Sequence, residues 1–407
     1  MSEWKKVKLG EVTEYITDGD HQPAPKSEQG VYFIKIKDII NNRISFDNAL
    51  HVPSEYYAKL KNNRKAVKGD VLYTVVGSYG TATYVNTELP FCFERNIALL
   101  HANQEINSYF LYLLMSCESF YKKADALANG AAQKLISLKK LQTIEIEIPP
   151  LATQHRIATI LSRYDSLIEN YQKQIKLLEE AAQRLYKEWF IDLHFPGHEN
   201  TNIIDGVPEG WEKKTIDDVT CKITTGLNPR KNFVLGKGSN YYVTIKNMAD
   251  NTLFLDDRCD RVDNEALEKI NKRSDLKIGD ILFSGIGTIG RVALVYIPTN
   301  NWNVSESVFT LRVNDIVTKE FLYLMLLSPD MQNYCQSNAH GAAQKGIRMA
   351  DLKAYSFYLP PFGVIQKFTN LVTPTIKKVS SIRNQIRLLT EARDRLLPQL
   401  MSGRIVL

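Results

Sequence analysis

The amino-acid sequence predicts an α+β fold that is built twice, with two globular units of mixed strands and helices separated by two long helices. Two observations predict this architecture. Short motifs from the first half of the 407-residue chain return in the second half in the same order, at an offset that grows from 207 to 211 residues. Each half also ends in a stretch whose apolar residues recur at alternating intervals of three and four, which is typical of long packed helices. Self-similarity over so long a period indicates a duplicated domain.

The composition is that of a folded protein without a membrane span. Hydrophobic residues make up 44% and charged residues 24% of the chain, and no apolar run approaches the ~20 residues that a membrane helix needs. The residues after Met1 lack the apolar stretch of a secretory signal. The five cysteines are scattered and odd in number, which favours a reducing compartment and argues against zinc. We therefore expect a cytoplasmic protein with no metal site, whose net charge of +6 permits a polyanionic partner without requiring one.

The repeat extends over the whole chain. Its most informative pair is the pentapeptide Gly-Ala-Ala-Gln-Lys, which occurs at 130–134 and again, letter for letter, at 341–345. The other paired motifs are Trp4 and Trp211, Gly69-Asp70 and Gly279-Asp280, residues 110–113 and 321–324, and residues 174–178 and 385–389. Chance does not produce so many pairs in one order.

Each globular unit ends in a strand that a proline pair terminates. In the first copy Ile144, Ile146 and Ile148 alternate with glutamates, which is the period-two pattern of a half-buried strand. The counterparts in the second copy are Tyr355, Phe357 and Leu359. Both stretches are followed by Pro-Pro, which cannot continue a sheet ladder. The predicted segments are a globular unit at 1–150, a long helix with a linker at 151–200, a second globular unit at 201–361 and a C-terminal long helix at 362–407.

An unbroken heptad seam follows the first proline pair. A helix from Gln154 to Phe190 would be about 55 Å long, and a stripe of that length needs a second long helix to cover it. The C-terminal seam supplies that helix, although Thr375 and Arg393 interrupt it and Pro374 is expected to kink or delay the helix. The seam residues predicted to pair the helices or to contact partner subunits are Ile157, Leu161, Tyr164, Ile168, Tyr171, Ile175, Leu178, Leu185, Trp189, Phe368, Val372, Val379, Ile382, Ile386, Leu389, Leu396 and Leu400.

Further apolar residues lie beside the seam and widen the stripe beyond the width that a two-stranded coil uses. They are Ile160, Leu167, Leu177, Leu371 and Leu388. These residues either pack against the globular units or receive partner helices from other subunits, and the width of the stripe favours the second interpretation.

Two short motifs suggest a DNA methyltransferase. Residues 283–290 contain F-x-G-x-G and G-x-G-x-x-G, and residues 359–362 resemble the Pro-Pro-aromatic tetrapeptide of adenine methyltransferases. However, the residues after Gly290 read as a strand, whereas a cofactor loop should open a helix. The repeat partner of the loop keeps only Gly77 and Gly80, and Leu359 cannot accept a hydrogen bond from a target amino group. The motif therefore predicts a tight turn between two strands.

The duplicated order of these motifs resembles that of the specificity subunits of type I restriction–modification systems. The resemblance covers essentially the whole chain and rests on the paired Trp4 and Trp211, the Gly-Asp turns, the Gly-Ala-Ala-Gln-Lys pair and the junctions between the proline pairs and the long helices. It implies two target recognition domains, each reading one half of a split, asymmetric double-stranded DNA site. It also implies an antiparallel coiled coil of the two long helices that fixes the gap between the half-sites.

The same resemblance implies that this chain has no catalytic residues and no cofactor of its own. Two methyltransferase subunits would use S-adenosylmethionine to methylate adenine, and motor-nuclease subunits would use ATP and Mg²⁺. Two alternatives stay open, namely a self-sufficient DNA adenine methyltransferase and a structural scaffold without a DNA role, which the modest charge suggests.

Candidate DNA-binding residues are polar and basic side chains in the repeated turns. Lysine and arginine would mostly hold phosphates, while glutamine and asparagine could pair with adenine edges. The candidates are Lys35, Lys37, Ser78, Tyr79, Gln133, Lys134, Lys246, Asn247, Thr288, Arg291, Gln344 and Lys345. The Gly-Ala-Ala-Gln-Lys pair could instead be repeated because it builds the same turn in both domains. Sequence-specific contacts are expected where the copies diverge, such as residues 59–65 and 231–237.

Overall fold

The computed structural model describes residues 4–21, 23–77, 79–130, 134–249, 251–341 and 345–405. The chain forms two compact units: unit 1 contains Met1–Glu169 and Arg387–Leu407, and unit 2 contains Asn170–Ile386. Each unit thus contains one globular part together with segments of both long helices, and the division into four segments made from the sequence stays a prediction. Among the described helices, none has the length and hydropathy needed to cross a membrane.

Unit 1 is organised around an antiparallel four-stranded sheet. Its strands are β1 (Lys5–Lys8), β2 (Thr13–Asp18), β3 (Val31–Ile34), β4 (Ile39–Ile40), β5 (Arg43–Ile44), β6 (Leu50–Val52), β7 (Val71–Thr74), β8 (Ala82–Tyr84), β9 (Phe91–Phe93), β10 (Ile97–Ala102) and β11 (Glu145–Ile148). The central sheet has the order β2-β10-β7-β8, and a three-stranded sheet has the order β6-β3-β9 with β3 and β9 parallel. Two further pairs are β1 with β11 and β4 with β5.

The central sheet of unit 1 is buried on both faces. Along β7, Val71 and Tyr73 belong to one hydrophobic core while Leu72 belongs to another. Successive side chains of a strand point to opposite faces, so this alternation shows that one core lies on each side of the sheet. The uninterrupted apolar run of β7 follows from this double burial.

Unit 2 repeats this topology. Its strands are β12 (Ile203–Ile204), β13 (Val207–Pro208), β14 (Glu212–Thr215), β15 (Thr220–Thr225), β16 (Asn240–Val243), β17 (Met248–Ala249), β18 (Thr252–Leu253), β19 (Asp260–Val262), β20 (Ile281–Ser284), β21 (Val292–Leu294), β22 (Trp302–Val304), β23 (Val308–Val313) and β24 (Ser356–Leu359). The four-stranded order is β15-β23-β20-β21 and the three-stranded order is β19-β16-β22. The pair β12–β13 has no counterpart among the described strands of unit 1, but the order of the other strands agrees and confirms that the sequence repeat is a structural duplication.

The strands before the proline pairs are those predicted from the alternation. In β11 Ile146 and Ile148 are buried while Glu145 and Glu147 are exposed, and β11 pairs antiparallel with β1. In unit 2, β24 pairs with β14 in the same way. Each globular part is therefore closed by pairing its last strand with a strand near its start, β1 in unit 1 and β14 in unit 2.

Short helices complete each unit. They are α1 (Ser54–Lys59), α2 (Ser108–Met115), α3 (Glu118–Leu127), α4 (Leu138–Gln142), α6 (Pro229–Asn232), α7 (Asn264–Ser274), α8 (Lys319–Leu326), α9 (Pro329–Ser337) and α10 (Met349–Ala354). The repeated α2 and α8 begin alike, because the side chains of Asn107 and Thr318 accept hydrogen bonds from the backbone N–H of Phe110 and Phe321. Both phenylalanines are buried.

The two long helices are α5 (Leu151–Phe190) and α11 (Phe362–Met401), each of 40 residues. In unit 2 Glu179 of α5 pairs with Arg383 of α11 at 2.5 Å, and the ring centroids of Trp189 and Phe368 lie 5.7 Å apart. Residue numbers rise along α5 as they fall along α11, so the helices are antiparallel, as predicted. In unit 1 the corresponding contact joins Asp165 of α5 to Arg393 of α11 at 2.7 Å, so the seam arginine is neutralised.

Pro374 does not delay α11, which begins twelve residues earlier at Phe362. That part of the sequence prediction was wrong. A proline in a helix interior removes one backbone hydrogen bond. Phe368, Val372 and Ile376 flank it and lie in the core of unit 2, so apolar burial holds the helix on both sides of the missing bond.

Candidate nucleic-acid interface

The repeated turns lie at one end of the central sheet in each unit. In unit 1 the last residue of β7, Thr74, pairs with the first residue of β10, Ile97. The last residue of β2, Asp18, pairs with Ala98 of the same strand. The segments that follow β7 and β2 therefore leave the sheet at the same end. In unit 2 the ends of β20 and β15 meet the start of β23 in the same manner. We call these the loop ends of the two sheets.

The first segment at each loop end is the glycine turn that resembles a cofactor loop. It connects β7 to β8 and β20 to β21, and both strand pairs are antiparallel neighbours. Gly77 and Gly80 have φ angles of 77° and 89°, and Gly287 and Gly290 have 87° and 89°. Only glycine adopts this backbone region readily. The prediction of a tight strand–strand turn is confirmed, since a strand and not a helix follows the glycines.

The second segment contains the Gly-Ala-Ala-Gln-Lys pentapeptide. In unit 1 the backbones of Asn129 and Leu135 exchange two hydrogen bonds of 2.9 Å, which closes a loop around the pentapeptide. In unit 2 His340 and Gly346 exchange two bonds of 2.8 Å. In unit 2 the loop also bonds the glycine turn, because Gly287 N–H donates to the Lys345 carbonyl at 2.8 Å, and in unit 1 Val76 and Leu135 form an antiparallel β-bridge. The structure therefore brings together two segments that the sequence singled out separately.

The third segment is the turn that carries Lys35 and Lys37 in unit 1 and Lys246 and Asn247 in unit 2. Ile36 N–H donates to Glu94 Oε1 at 2.7 Å, which ties the unit 1 turn to the segment between β9 and β10. In unit 2 the Arg291 guanidinium, at the end of the glycine turn, donates to the carbonyls of Ile245 and Met248 at 3.0 and 2.7 Å. The three segments thus form one surface in unit 2.

The candidate side chains differ in accessibility. The exposed ones are Lys37, Lys134, Lys246, Thr288 and Lys345, while Lys35, Tyr79 and Arg291 are partly buried and Asn247 is buried. Ser78, Gln133 and Gln344 lie outside the described residues. Among the exposed set, Lys134 pairs with Asp125 at 2.6 Å.

Three candidates hold the framework of the turns. Asn247 Oδ1 accepts a hydrogen bond from Thr244 N–H at 2.9 Å, and Arg291 bonds the carbonyls named above. The Tyr79 ring packs against Tyr73 and Tyr121, and burial raises the pKa of Tyr79 to about 12. Their DNA-binding role stays a prediction, but in this structure these side chains stabilise the loop ends.

A fourth segment follows β2 and contacts segment 59–65, which the sequence singled out; the residues after β2 were not among the sequence candidates. Arg64, from the divergent segment 59–65, donates to Asp20 Oδ1 at 3.1 Å and lies 3.7 Å from Asp18 Oδ1. His21 lies 3.0 Å from Asp18 Oδ2, and Tyr56 donates to Asp20 Oδ2 at 3.0 Å. The signal that could have found this cluster is Gly19, which is repeated as Gly226 while its neighbours differ. A Cβ atom at Gly19 would overlap the backbone of Phe93 and Glu94, and one at Gly226 would overlap the backbone of Val304. Both positions therefore require glycine.

The repeated Gly-Asp turns lie at the opposite end of the sheets, and each buries a carboxylate. Asp70 accepts a bond from Val67 N–H at 2.8 Å and pairs with His101 at 2.6 Å. Burial raises the pKa of Asp70, and the bonds from Val67 and His101 oppose the rise. In unit 2 Asp280 accepts two bonds from Arg312 at 2.7 and 2.9 Å, and these raise the pKa of that guanidinium.

A second repeated surface lies on the long helices. Leu177 and Leu388 occupy equivalent positions and are 65% and 49% exposed. The pattern Leu-x-x-Glu-Ala-x-x-Arg-Leu contains each of them, at 177–185 and 388–396. We call these the repeated helix faces. Of the other apolar residues beside the seam, Leu167 and Leu371 are exposed and Ile160 packs against the unit 1 core.

The predicted seam residues are covered to different degrees. The buried ones are Ile157, Leu161, Ile168, Trp189, Phe368, Val372, Val379, Ile382 and Leu400. The partly buried ones are Tyr164, Tyr171, Ile175, Leu178, Leu185, Ile386, Leu389 and Leu396. Across the described residues, no group of three or more histidine, cysteine, aspartate or glutamate side chains is arranged to hold a metal ion.

Comparisons with known proteins agree with this architecture. The family model of the type I restriction modification DNA specificity domain matches twice, at residues 1–180 and 208–386. The type I restriction enzyme MjaIX specificity subunit of Methanocaldococcus jannaschii is 26% identical, over 98% of this chain and 93% of that protein. The HindI specificity subunit of Haemophilus influenzae is 24% identical over the full length of both. The crystal structure of a type I S subunit from M. genitalium has the same fold, with a TM-score of 0.62 at 18% identity over 98% of this chain and 96% of that one.

The chain therefore belongs to the type I restriction modification DNA specificity family. The double match assigns one specificity domain to each half, and the relatives are named as specificity subunits. The chain is accordingly a DNA-recognition component and not an enzyme in its own right. These comparisons do not support the alternative of a self-sufficient methyltransferase.

Proposed function

We propose that this chain recognises a bipartite, asymmetric DNA target and directs adenine methylation and restriction by partner subunits. The observation that carries the proposal is the pair of loop ends, which share one framework but display different side chains. Identical frameworks place the reading segments alike, and different side chains give each unit its own half-site.

The chemistry of the loop ends supports contact with DNA. Lys37, Lys246 and Lys345 are exposed there and suit phosphate oxygens, which fix the register of a protein on the duplex. Base edges are read by hydrogen bonds from side chains that differ between sites. Segments 59–65 and 231–237 meet that condition, because the two copies diverge there. Arg64 contacts Asp20, two residues after β2, and Phe233 and Leu235 pack against the same core cluster as Leu227, two residues after β15.

The repeated helix faces support docking of two copies of one partner. A leucine that is about half exposed contributes little to the fold of its own chain, yet it is repeated together with its glutamate, alanine and arginine neighbours. Residues that are identical in both copies are expected to serve a role that both copies have. Two methyltransferase subunits, one on each face, are the partners that this arrangement fits, and motor-nuclease subunits would join the assembled complex.

Cofactor chemistry is assigned to those partners. S-adenosylmethionine, ATP and Mg²⁺ would be bound by the methyltransferase and motor-nuclease subunits. In this chain the glycine turn that resembles a cofactor loop connects strand β20 to strand β21. The complex acts on chromosomal DNA, so we place the protein in the cytoplasm.

The decisive experiment is sequencing of methylated adenines in the host with and without this gene. We expect one bipartite motif with unlike halves to disappear upon deletion and to return upon complementation. Loss of no motif would refute the proposal. Titration of the purified chain with S-adenosylmethionine separates the enzyme alternative, because clear binding by this chain alone would favour it.

A further inference from the structure

The loop end of unit 1 contains an arginine that its neighbours hold in one orientation. Arg64 ends the short 3-10 turn Asn62–Arg64. One of its terminal nitrogens donates to Asp20 Oδ1 at 3.1 Å, and the other lies 3.7 Å from Asp18 Oδ1. Tyr56 donates to the second oxygen of Asp20 at 3.0 Å, which fixes that carboxylate in turn. The guanidinium plane is therefore set by two carboxylates of the segment after β2, one of which Tyr56 holds in place.

This arrangement leaves hydrogen-bonding capacity on the guanidinium. Arginine has five N–H donors in a planar fork. Within the described residues, the hydrogen bond to Asp20 is the one that the Arg64 side chain makes, and 27% of that side chain is exposed. His21 lies beside it, with 56% of its side chain exposed. A planar donor group in a fixed orientation at a surface is suited to one planar acceptor pair.

The carboxylates decide which acceptor that is. Asp18 and Asp20 both lie within 4 Å of the guanidinium, so a phosphate brought to Arg64 would face two negative charges. The O6 and N7 atoms of guanine are neutral acceptors and suffer no such repulsion. They accept two parallel hydrogen bonds from arginine, which is the commonest specific contact between proteins and DNA bases.

Among the described residues of unit 2, the aligned positions hold no equivalent group. After β15 the residues aligned with Asp18-Gly19-Asp20 are Thr225-Gly226-Leu227, and the next residue, Asn228, donates to Glu306 at 2.7 Å. The arginine cluster thus belongs to one half of the protein. This is expected of residues that make the two half-sites differ.

We propose that Arg64, oriented by Asp18 and Asp20, reads a guanine in the DNA half-site recognised by unit 1. This inference rests on the proposed function and names a base and a residue for one of its two halves.

The test uses the full chain assembled with its partner subunits, with methylome sequencing and competition binding to oligonucleotides of the methylated motif as readouts. The variants R64Q and R64K are compared with R156Q. Arg156 lies in the first turns of α5, is exposed, and makes no ion pair within the described residues. We expect both Arg64 variants to lose discrimination at one guanine of the unit 1 half-site by about 5- to 150-fold, with the other half unchanged. R156Q should leave the motif unchanged.

Lysine separates base reading from phosphate binding, because it keeps the charge and lacks the fork. If R64K retains the full motif, or if R64Q weakens binding to all sequences equally, Arg64 holds a phosphate and the proposal is overturned. Loss of all methylation with a lowered melting temperature would show that Arg64 only fastens its segment, and would also overturn it. D20N should relax the same position less than R64Q does. Failure of the proposed function is distinguishable, because wild-type protein would then direct no methylation at either half-site.

Discussion

The buried carboxylate of the unit 2 Gly-Asp turn offers a quantitative test of what holds the sheets together. The side chain of Asp280 is 1% exposed, and Arg312 donates to both of its oxygens and to the Asp275 carbonyl. Replacing Arg312 with methionine keeps the aliphatic packing but leaves a buried carboxylate without its cation. Removal of one partner from such a pair costs about 3–5 kcal/mol. Because Arg312 is 22% exposed and water can reach its site, we expect R312M to lower the free energy of unfolding of unit 2 by about 3 kcal/mol, the lower end of that range.

Hydrogen exchange measured by mass spectrometry on the full chain is the assay, since it reports each unit separately. The amides of Gly279 and Val295, which bond across the turn, should exchange with a local opening free energy lowered by about 3 kcal/mol, while unit 1 peptides stay unchanged. The control is K222M, which removes a more exposed ion pair with Asp275 at 3.7 Å and should cost less than about 1 kcal/mol. Adding D280N to R312M should restore part of the loss. A loss below about 1 kcal/mol for R312M, or no rescue, would refute the reasoning.

Two further predictions concern the differences between the units. Burial raises the pKa of Asp70, so folding favours its protonated form, and the stability of unit 1 falls as the pH rises from about 4 through the folded-state pKa. A guanidinium beside Asp70 favours its charged form, so H101R should flatten this fall in urea titrations between pH 4 and 8. Glu14 and Tyr15 also face position 101, and parallel curves for wild type and variant would contradict the assignment to Asp70. Exchange of residues 1–150 for those of a relative should change one half of the methylated motif, as read by methylome sequencing, and a change in both halves would refute modular reading.

The fold was largely predictable because the duplication leaves a pattern that survives divergence. The alternation before the proline pairs and the three–four spacing of the seams report burial directly, and β11, β24 and both long helices lie where these patterns placed them. The error at Pro374 has a physical cause. A local rule about proline was applied without the apolar contacts of Phe368 and Ile376, which only the tertiary structure supplies.

The site was predictable only in part. The sequence singled out the glycine turn and the pentapeptide because they are repeated, but their contact depends on the pairing order of β2, β10 and β7, which no local pattern encodes. Repetition also selected residues that build the framework, such as Asn247 and Arg291. Segment 59–65 was singled out because the copies diverge there, but the contact of Arg64 with Asp20 was missed because it joins residues 44 positions apart.

The repeated helix faces allow partner docking to be tested against a closely matched control. Leu177 and Leu388 are exposed and repeated, whereas Leu167 is 40% exposed on the same helix α5 and its equivalent position holds Lys378. Glutamate at any of these positions stays in water in the free chain, so L177E, L388E and L167E should all fold. In a complex, a carboxylate buried against an apolar partner surface costs about 3 kcal/mol or more, which is a loss of more than about 100-fold in affinity.

Native mass spectrometry of each variant with the methyltransferase subunit gives the number of bound copies. We expect two copies for wild type and L167E, one copy for L177E and for L388E, and none for the double variant L177E/L388E. This pattern follows if each repeated helix face binds one subunit independently, because each substitution then removes one site and leaves the other intact. If L167E behaves like the other two single variants, docking depends on exposed leucine in general and not on the repeated faces. If all variants keep two copies, the faces do not bind the methyltransferase, and their repetition must serve another contact of the complex.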